Sequence, residues 1–442
     1  MIGNFAAVLP DLGDFCQRTS KLVCSLTEIT LFLVRNRLDK GVPYSKMDSG
    51  IDYRELNAFI KKKGFYRYLK MKLVHFFLMK KCRPVGLSAE DHAKGCDVLV
   101  LHASRKSRKI GRKKKLIARL EQQGLDVSED IELKAKEISE LGCVTGDLAA
   151  PSAFRLYEGF ANYLNRKHNP KIILTDKNGS LLSPFLKKRP GNSLAPTFHL
   201  AHATLNAQSS KFDMTDYNYY CLYGQGSLDY LNSLAHKFGS AEPILGGSYF
   251  IDEDYRPFDA DPLLPPLILD MGPEMENSPM VRNYEILLAW IGLHPSEKVL
   301  VRLHQRSDGK FWRKAAEKHE NIEILPPESF KHSILRSSMV FFIYTNAIID
   351  ASLFHIPSIM IADADVRDYL QTERFFGQRC RTPREIGQRV DEIRGSYANY
   401  REKAARFSHY HIERGPDFLD FITNRIVEMV HAENGCNPSS AP

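Results

Sequence analysis

"CLYGQGSLDYLNS", residues Cys221–Ser233, decides how this chain is read. An apolar run ends at Tyr223, glycines follow at Gly224 and Gly226, and a helical pattern begins. A strand feeding a helix in this way is the repeating unit of a parallel α/β sheet. Glycines at such a junction let another group approach the backbone closely. The spacing predicts a helix from about Ser227 to Phe238.

The same alternation extends in both directions. "CDVLVLHA" (96–103) and "KIILTD" (171–176) read as buried strands, and "TFHLAHAT" (197–204), "YNYYCLYG" (217–224) and "PILGG" (243–247) continue the series. "RKKKLIARLEQQG" (112–124) is a helix stopped by Gly124, and "FRLYEGFANYLNRKHN" (154–169) is another. A proline-rich joint (252–273) follows, and the alternation restarts. Its strands are "PLILDMG" (266–272), "KVLVRLH" (298–304), "NIEIL" (321–325), "MVFFIY" (339–344) and "IPSIMI" (356–361), and "VRNYEILLAWIG" (281–292) is a helix. With 442 residues, the chain exceeds the about 250–300 that one core organises. The expected fold class is α/β, with two Rossmann-like halves facing across a cleft. Residues 1–260 form the first half, including a helical N-terminal region. Residues 261–405 form the second, and 406–442 hold a helix packing back on the first, followed by a tail. Ligands of such sheets bind at the C-terminal ends of the strands.

Composition is that of an ordinary globular protein, with 43% apolar and 26% charged residues. No apolar run is long enough to span a membrane. The N-terminus lacks the pattern of a signal peptide, and the eight cysteines include no CxxC pair, so a cytoplasmic protein with reduced thiols is expected. The net charge of +8 gathers in "SRKSRKIGRKKK" (104–115) and in residues 61–83. Each basic stretch suits a polyanion or is simply a solvated helix face. In 61–83, Phe65, Leu69, Leu73, Phe76 and Phe77 recur at helical spacing among lysines. That helix either packs on its own domain or makes peripheral contact with an anionic membrane.

Two constellations stand in the second half. "VLVRLHQRSDGKFW" (299–312) delivers Arg302, His304 and Arg306 at a strand end, residue types that suit a phosphate. "FFIYTNAIID" (341–350) ends a strand at Tyr344 and opens a helix at Thr345 and Asn346, with Asp350 one turn on. That turn either caps the helix or also holds an anion. In the first half, His199, His202, Ser209, Ser210 and Glu158 are candidates for a cleft, each with a plain structural alternative. The two DxD stretches, Asp259–Asp261 and Asp363–Asp365, read as solvated acidic turns.

An Arg-x-His strand, a Thr-containing strand-to-helix turn, an acidic residue and a buried "IPSI" strand resemble the nucleotide-binding half of GT-B glycosyltransferases that use CMP-linked sugars. His304-Gln305 departs from the His-Pro of many relatives. With "RLYEGFANYL", "FHLAHATLNAQSS" and "YGQGSLDYLNS", most of the chain resembles the retaining β-Kdo transferases of bacterial surface polysaccharide synthesis (O-antigen or capsule). The resemblance implies a GT-B fold, CMP-β-Kdo as donor, and a glycan acceptor that is lipid-linked. It implies no metal or cofactor and no nucleic acid, with a location in the cytoplasm or peripherally on the inner membrane. It places a nucleophilic Asp where Asn232 stands, with Glu158 as a second acidic residue facing the donor sugar. Asn232 then reads as an Asp→Asn change that blocks turnover. The remaining readings are Asp229 as nucleophile, or a natural variant of low activity. Cations for the acidic donor are Arg302, His304, Arg306 and the loop from Ser104 and Arg105 through Arg108. His202 and Glu158 are the candidate bases. A sialyl- or polyol-phosphate transferase of the same fold is the alternative, and a non-catalytic polyanion-binding protein the other.

Overall fold

The computed structural model describes residues 50–82, 95–144, 151, 154–190, 192, 194–207, 213–251, 253–272, 278–327, 329–363 and 365–435. Much of the helical reading of 1–90, and Ser209 and Ser210, lie outside the described residues. The expected basic helix of 61–83 is two helices, α1 (Tyr53–Lys62) and α2 (Phe65–Lys81). They break at Gly64, whose φ of 149° a side chain would resist.

The first sheet half comprises β1 (Val98–His102), α3 (Arg105–Ile110), α4 (Lys114–Gln122), β2 (Val127–Ile131), α5 (Ala135–Glu140), α6 (Arg155–His168), β3 (Ile172–Thr175), α7 (Ser183–Leu186), β4 (Thr197–Leu200), β5 (Tyr219–Leu222), α8 (Gln225–Ser233) and β6 (Glu242–Leu245). Its sheet runs β2-β1-β3-β4-β5-β6, every pair parallel. The helix α8 stops at Ser233, short of the expected Phe238. Leu234 turns to extended backbone, and Phe238 instead pairs with Met214 and packs its ring, tilted, against Phe59.

The second half comprises β7 (Leu267–Leu269), α9 (Arg282–Leu293), β8 (Val299–Arg302), α10 (Lys310–Ala316), β9 (Ile322–Ile324), α11 (Phe330–Leu335), β10 (Val340–Phe342), α12 (Ala347–Leu353), β11 (Ser358–Met360), α13 (Thr372–Phe376), α14 (Pro383–Gly395) and α15 (Tyr397–His411). Its sheet, β11-β10-β7-β8-β9, is also wholly parallel. Two parallel sheets with covering helices make an α/β architecture of two Rossmann-like halves.

The last helix, α16 (Phe418–Gly435), belongs to the first half. Phe418, Ile422 and Ile426 are buried with Leu116 and Leu120 of α4 and with Val98, Ile172 and Leu174 of the sheet. The helix α15 runs unbroken through position 405, and the chain crosses just after it. There the Glu413 and Arg414 amides donate to the carbonyls of Tyr223 (2.9 Å) and Gly246 (2.7 Å).

This crossing is what the glycines admit. A Cβ on Gly224 would lie 2.7 Å from the Tyr410 carbonyl oxygen, and one on Gly246 would lie 2.4 Å from the Phe418 ring. The group that comes close to the strand end is therefore the chain's own crossing segment. Gly224 has ordinary extended backbone, so its constraint is purely steric. Gly224→Ala is expected to destabilise by about 1–3 kcal/mol, because backbone rather than a flexible side chain must yield. Gly395→Ala, where a Cβ meets nothing within 4 Å, is expected to leave thermal stability unchanged or slightly raised. Thermal unfolding of both variants checks the contrast.

Candidate functional site

In the second half the strand ends enclose a pocket of about 90 Å³. Tyr344, Thr345 and Asn346, three residues singled out in the sequence, line it. The Thr345 hydroxyl accepts the Ala347 amide at 3.2 Å, so it caps the turn as well as facing the pocket. The opposite wall is the loop after β11. There Arg367 lies over the Tyr369 ring (5.2 Å) and Tyr369 meets Tyr344 edge-on (5.5 Å). Arg367 and Tyr369 escaped the sequence reading. Their signal was position, since they lie in the loop after a buried parallel strand. The neighbouring Asp363 and Asp365 are both paired with Arg282.

Arg302, His304 and Arg306 lie outside this pocket's wall, at the end of β8. Their loop is anchored by buried Asp270. That carboxylate accepts from the His304 amide (3.1 Å), the Tyr284 hydroxyl (2.7 Å) and the Trp312 indole (3.3 Å). His304 Nδ1 accepts the Arg306 amide at 3.2 Å. An amide can only donate, so the neutral ring carries its proton on Nε2. Arg302 turns another way. It donates to Ser333 Oγ at 2.8 Å and lies over the Phe330 ring, so the structure parts it from His304.

In the first half, Glu158 sits in the first turn of α6, half-buried. His202 follows β4, with Nδ1 3.3 Å from the Asp176 carbonyl. The Asn178 side-chain nitrogen lies 3.5 Å from the same Nδ1. His199 is a core residue. It lies between Tyr217 and Tyr220 (4.4 and 4.7 Å between centroids), and burial pushes its imidazole down to about 3.

The basic stretch 104–115 is mostly exposed, but some of its residues are tied into the fold. Ser104 caps α3, Arg105 reaches Glu137 (3.6 Å), and Lys113 is buried against Asp176 (2.9 Å). Burial alone would raise the Asp176 carboxyl, but Lys113 holds it below its ordinary value. The sequence reading missed this ion pair, because charge runs look solvated until the fold is known.

Asn232 occupies the last turn of α8, exposed, with no hydrogen bond to any described residue. Asp229, one turn earlier, accepts from the Tyr410 hydroxyl (2.8 Å) and the Gln225 amide (2.6 Å).

Asp350 is the most perturbed carboxyl at the strand ends of the second half. Among the described residues no hydrogen bond reaches it, and burial pushes it up to about 7. Burial, and then the Asp350 charge, push up the phenols of Tyr223 and Tyr255.

No family model and no curated protein matches the sequence. Several solved structures are similar in fold. A UDP-GlcNAc 2-epimerase from Neisseria meningitidis bound to UDP-GlcNAc shares 11% identity, covers 76% of this chain and 100% of its own, and has a TM-score of 0.49. Acinetobacter baumannii MurG shares 12%, with 75% and 99% covered and a TM-score of 0.46. A variant of the wall teichoic acid polymerase TagF shares 10%, with 87% and 98% covered and a TM-score of 0.44.

The Asp350 carboxyl gives a pH test. Folded, it holds its proton up to about 7, whereas in the unfolded chain it ionises near 3.8. Its contribution to stability therefore falls as pH rises between those values, and then levels off. Asp350→Asn is expected to match the parent in thermal midpoint at about pH 4 and to exceed it at about pH 8. Melting curves of both proteins across that range check the sign.

Proposed function

We propose that this chain has the architecture of a retaining glycosyltransferase that moves β-Kdo from CMP-β-Kdo to a sugar hydroxyl of bacterial surface polysaccharide. The sugar comes from the sequence resemblance. One structural observation carries the chemistry: the two halves offer opposite hydrogen-bonding character at their strand ends. The second half offers donors to a leaving phosphate, namely His304 Nε2–H at the end of β8, and the Thr345 turn with Arg367 in the lining of the same pocket. The first offers a base and an acceptor, the His202 imidazole after β4 and the Glu158 carboxyl in the first turn of α6.

In the proposed reaction a carboxylate at position 232 attacks C2 of Kdo. The bond from C2 to the phosphate oxygen breaks, and CMP leaves with that electron pair, met by the His304 N–H. The acceptor hydroxyl then gives its proton to His202 and attacks C2. The C2–carboxylate bond breaks and the carboxylate is regenerated. Two inversions give retention. With Asn232 the first step lacks its nucleophile, since an amide is far poorer than a carboxylate.

The deciding experiment compares this chain with its Asn232→Asp variant, incubated with CMP-Kdo and no acceptor. CMP release or a Kdo-sized mass adduct is expected only on the variant. If neither protein binds or consumes CMP-Kdo, the donor assignment falls, and CMP-sialic acid and CDP-glycerol are the donors to test in its place. On the Asn232→Asp background, His304→Ala is expected to cost about ten- to a hundredfold in CMP release, the worth of a hydrogen bond to a charged group. An unchanged rate removes His304 from the phosphate.

A further inference from the structure

Residues 61–82 hold eight lysines and arginines and no aspartate or glutamate, as many cations as the whole chain's net charge of +8. The stretch 104–115 carries eight more and no acid, so the basic character gathers in these two runs. The structure puts it at the end of α1 and along α2.

The helix α2 is barely covered. Within it, of the residues whose burial is described, only His75 is buried, against the Tyr157 ring (5.4 Å between centroids). Turning 100° per residue, Tyr66, Leu69, Lys70, Leu73, Phe77 and Lys80 fall within about 100° of one another, opposite His75. Tyr66 is 79% exposed, Phe77 40%, and the adjoining Phe65 and Val74 58% and 44%. A helix face turned to water normally carries polar side chains. This one is apolar and edged with ammonium groups. Lys61, Lys72 and Lys80 lie over the rings of Phe65, Tyr68 and Phe76 (5.6, 4.9 and 4.6 Å), so their stems run along apolar surface while their charges stay outward. No described helix is long and apolar enough to cross a membrane.

We propose that α2 docks on an anionic phospholipid bilayer, with Tyr66, Leu73 and Phe77 at the boundary of headgroups and acyl chains and the lysines against lipid phosphates. A polynucleotide would satisfy the lysines but leave Leu73, Val74 and Phe77 wet. A bilayer covers both features. The inference rests on charge and exposure, and stands whichever sugar the enzyme site takes.

The test floats the full chain with vesicles of phosphatidylcholine alone, or with about a third phosphatidylglycerol, at low and at physiological salt. Flotation is expected with the anionic vesicles, weakening as salt rises. Lys70→Glu with Lys80→Glu is expected to cost about tenfold or more in the vesicle concentration needed for half binding, and Tyr66→Ser with Phe77→Ser a similar loss. Thermal midpoints should be unchanged in both pairs. The proposal is overturned by absence of flotation on anionic vesicles or by binding that ignores the lysine pair. A sharp loss of thermal stability in the aromatic pair would show that another part of the chain covers the face, and would overturn it too. So would tighter binding to a polynucleotide that falls with the lysine pair and not with the aromatic pair. Lys70 and Lys80 are both exposed, so the lysine pair reads the lipid contact independently of the aromatic pair.

Discussion

The contact on which the architecture turns is the seat of residues 411–418 against the ends of β5 and β6. Two amide-to-carbonyl bonds, from Glu413 to Tyr223 and from Arg414 to Gly246, pin the crossing chain to the first half. They form only because Gly224 and Gly246 carry no side chain. Once seated, the chain lays Phe418, Ile422 and Ile426 into the first core, where they meet α4 and the sheet. The first half is thus completed by residues more than a hundred positions beyond its own last strand. Buried apolar area is the force, and two glycines are the condition for its use.

The same corner reaches the pocket. His411 donates through Nε2 to the Leu370 carbonyl (2.9 Å), and the Gln371 amide donates to the Tyr410 hydroxyl (3.3 Å). Tyr410 donates in turn to Asp229 on α8. Leu370 lines the pocket, so its wall is held by a helix end that also grips the first half. Burial drives His411 down to about 4, which keeps it neutral at ordinary pH and keeps this tie free of charge. A shift of one half against the other therefore acts on the pocket wall through two residues of α15.

Much of this was legible in the sequence, and the exceptions share a cause. Short apolar runs flanked by helical patterns marked most of the strands, but not β2. "VSEDI" is half-exposed throughout, so nothing in its composition signals an edge strand. The quoted glycines marked a close approach, but not whether ligand or chain would make it, because that depends on a partner some 190 positions away. Arg367 and Tyr369 were hidden for the same reason, facing Tyr344 across a gap that only the fold closes. Lys113 is the sharpest case. In a run of cations nothing sets it apart, yet it alone among those lysines is buried, against Asp176. Local pattern carries periodicity and turns well, and carries pairing across the fold poorly.

Position 232 can be weighed against 229 by the same physics. Asp229 is held by two donors, and each hydrogen bond that steadies a carboxylate lowers its appetite for an electrophile. Those bonds also belong to the α8–α15 contact, so movement toward a sugar would loosen the crossing. A carboxylate at 232 would meet neither restraint. It would stand exposed in the last turn of α8, where the free carbonyls of the helix end disfavour negative charge and leave the anion more reactive. On the proposed double displacement, the better nucleophile is the one the fold does not use. The amide at Asn232 keeps the shape of that group and withholds its charge, which is the one property the first step needs.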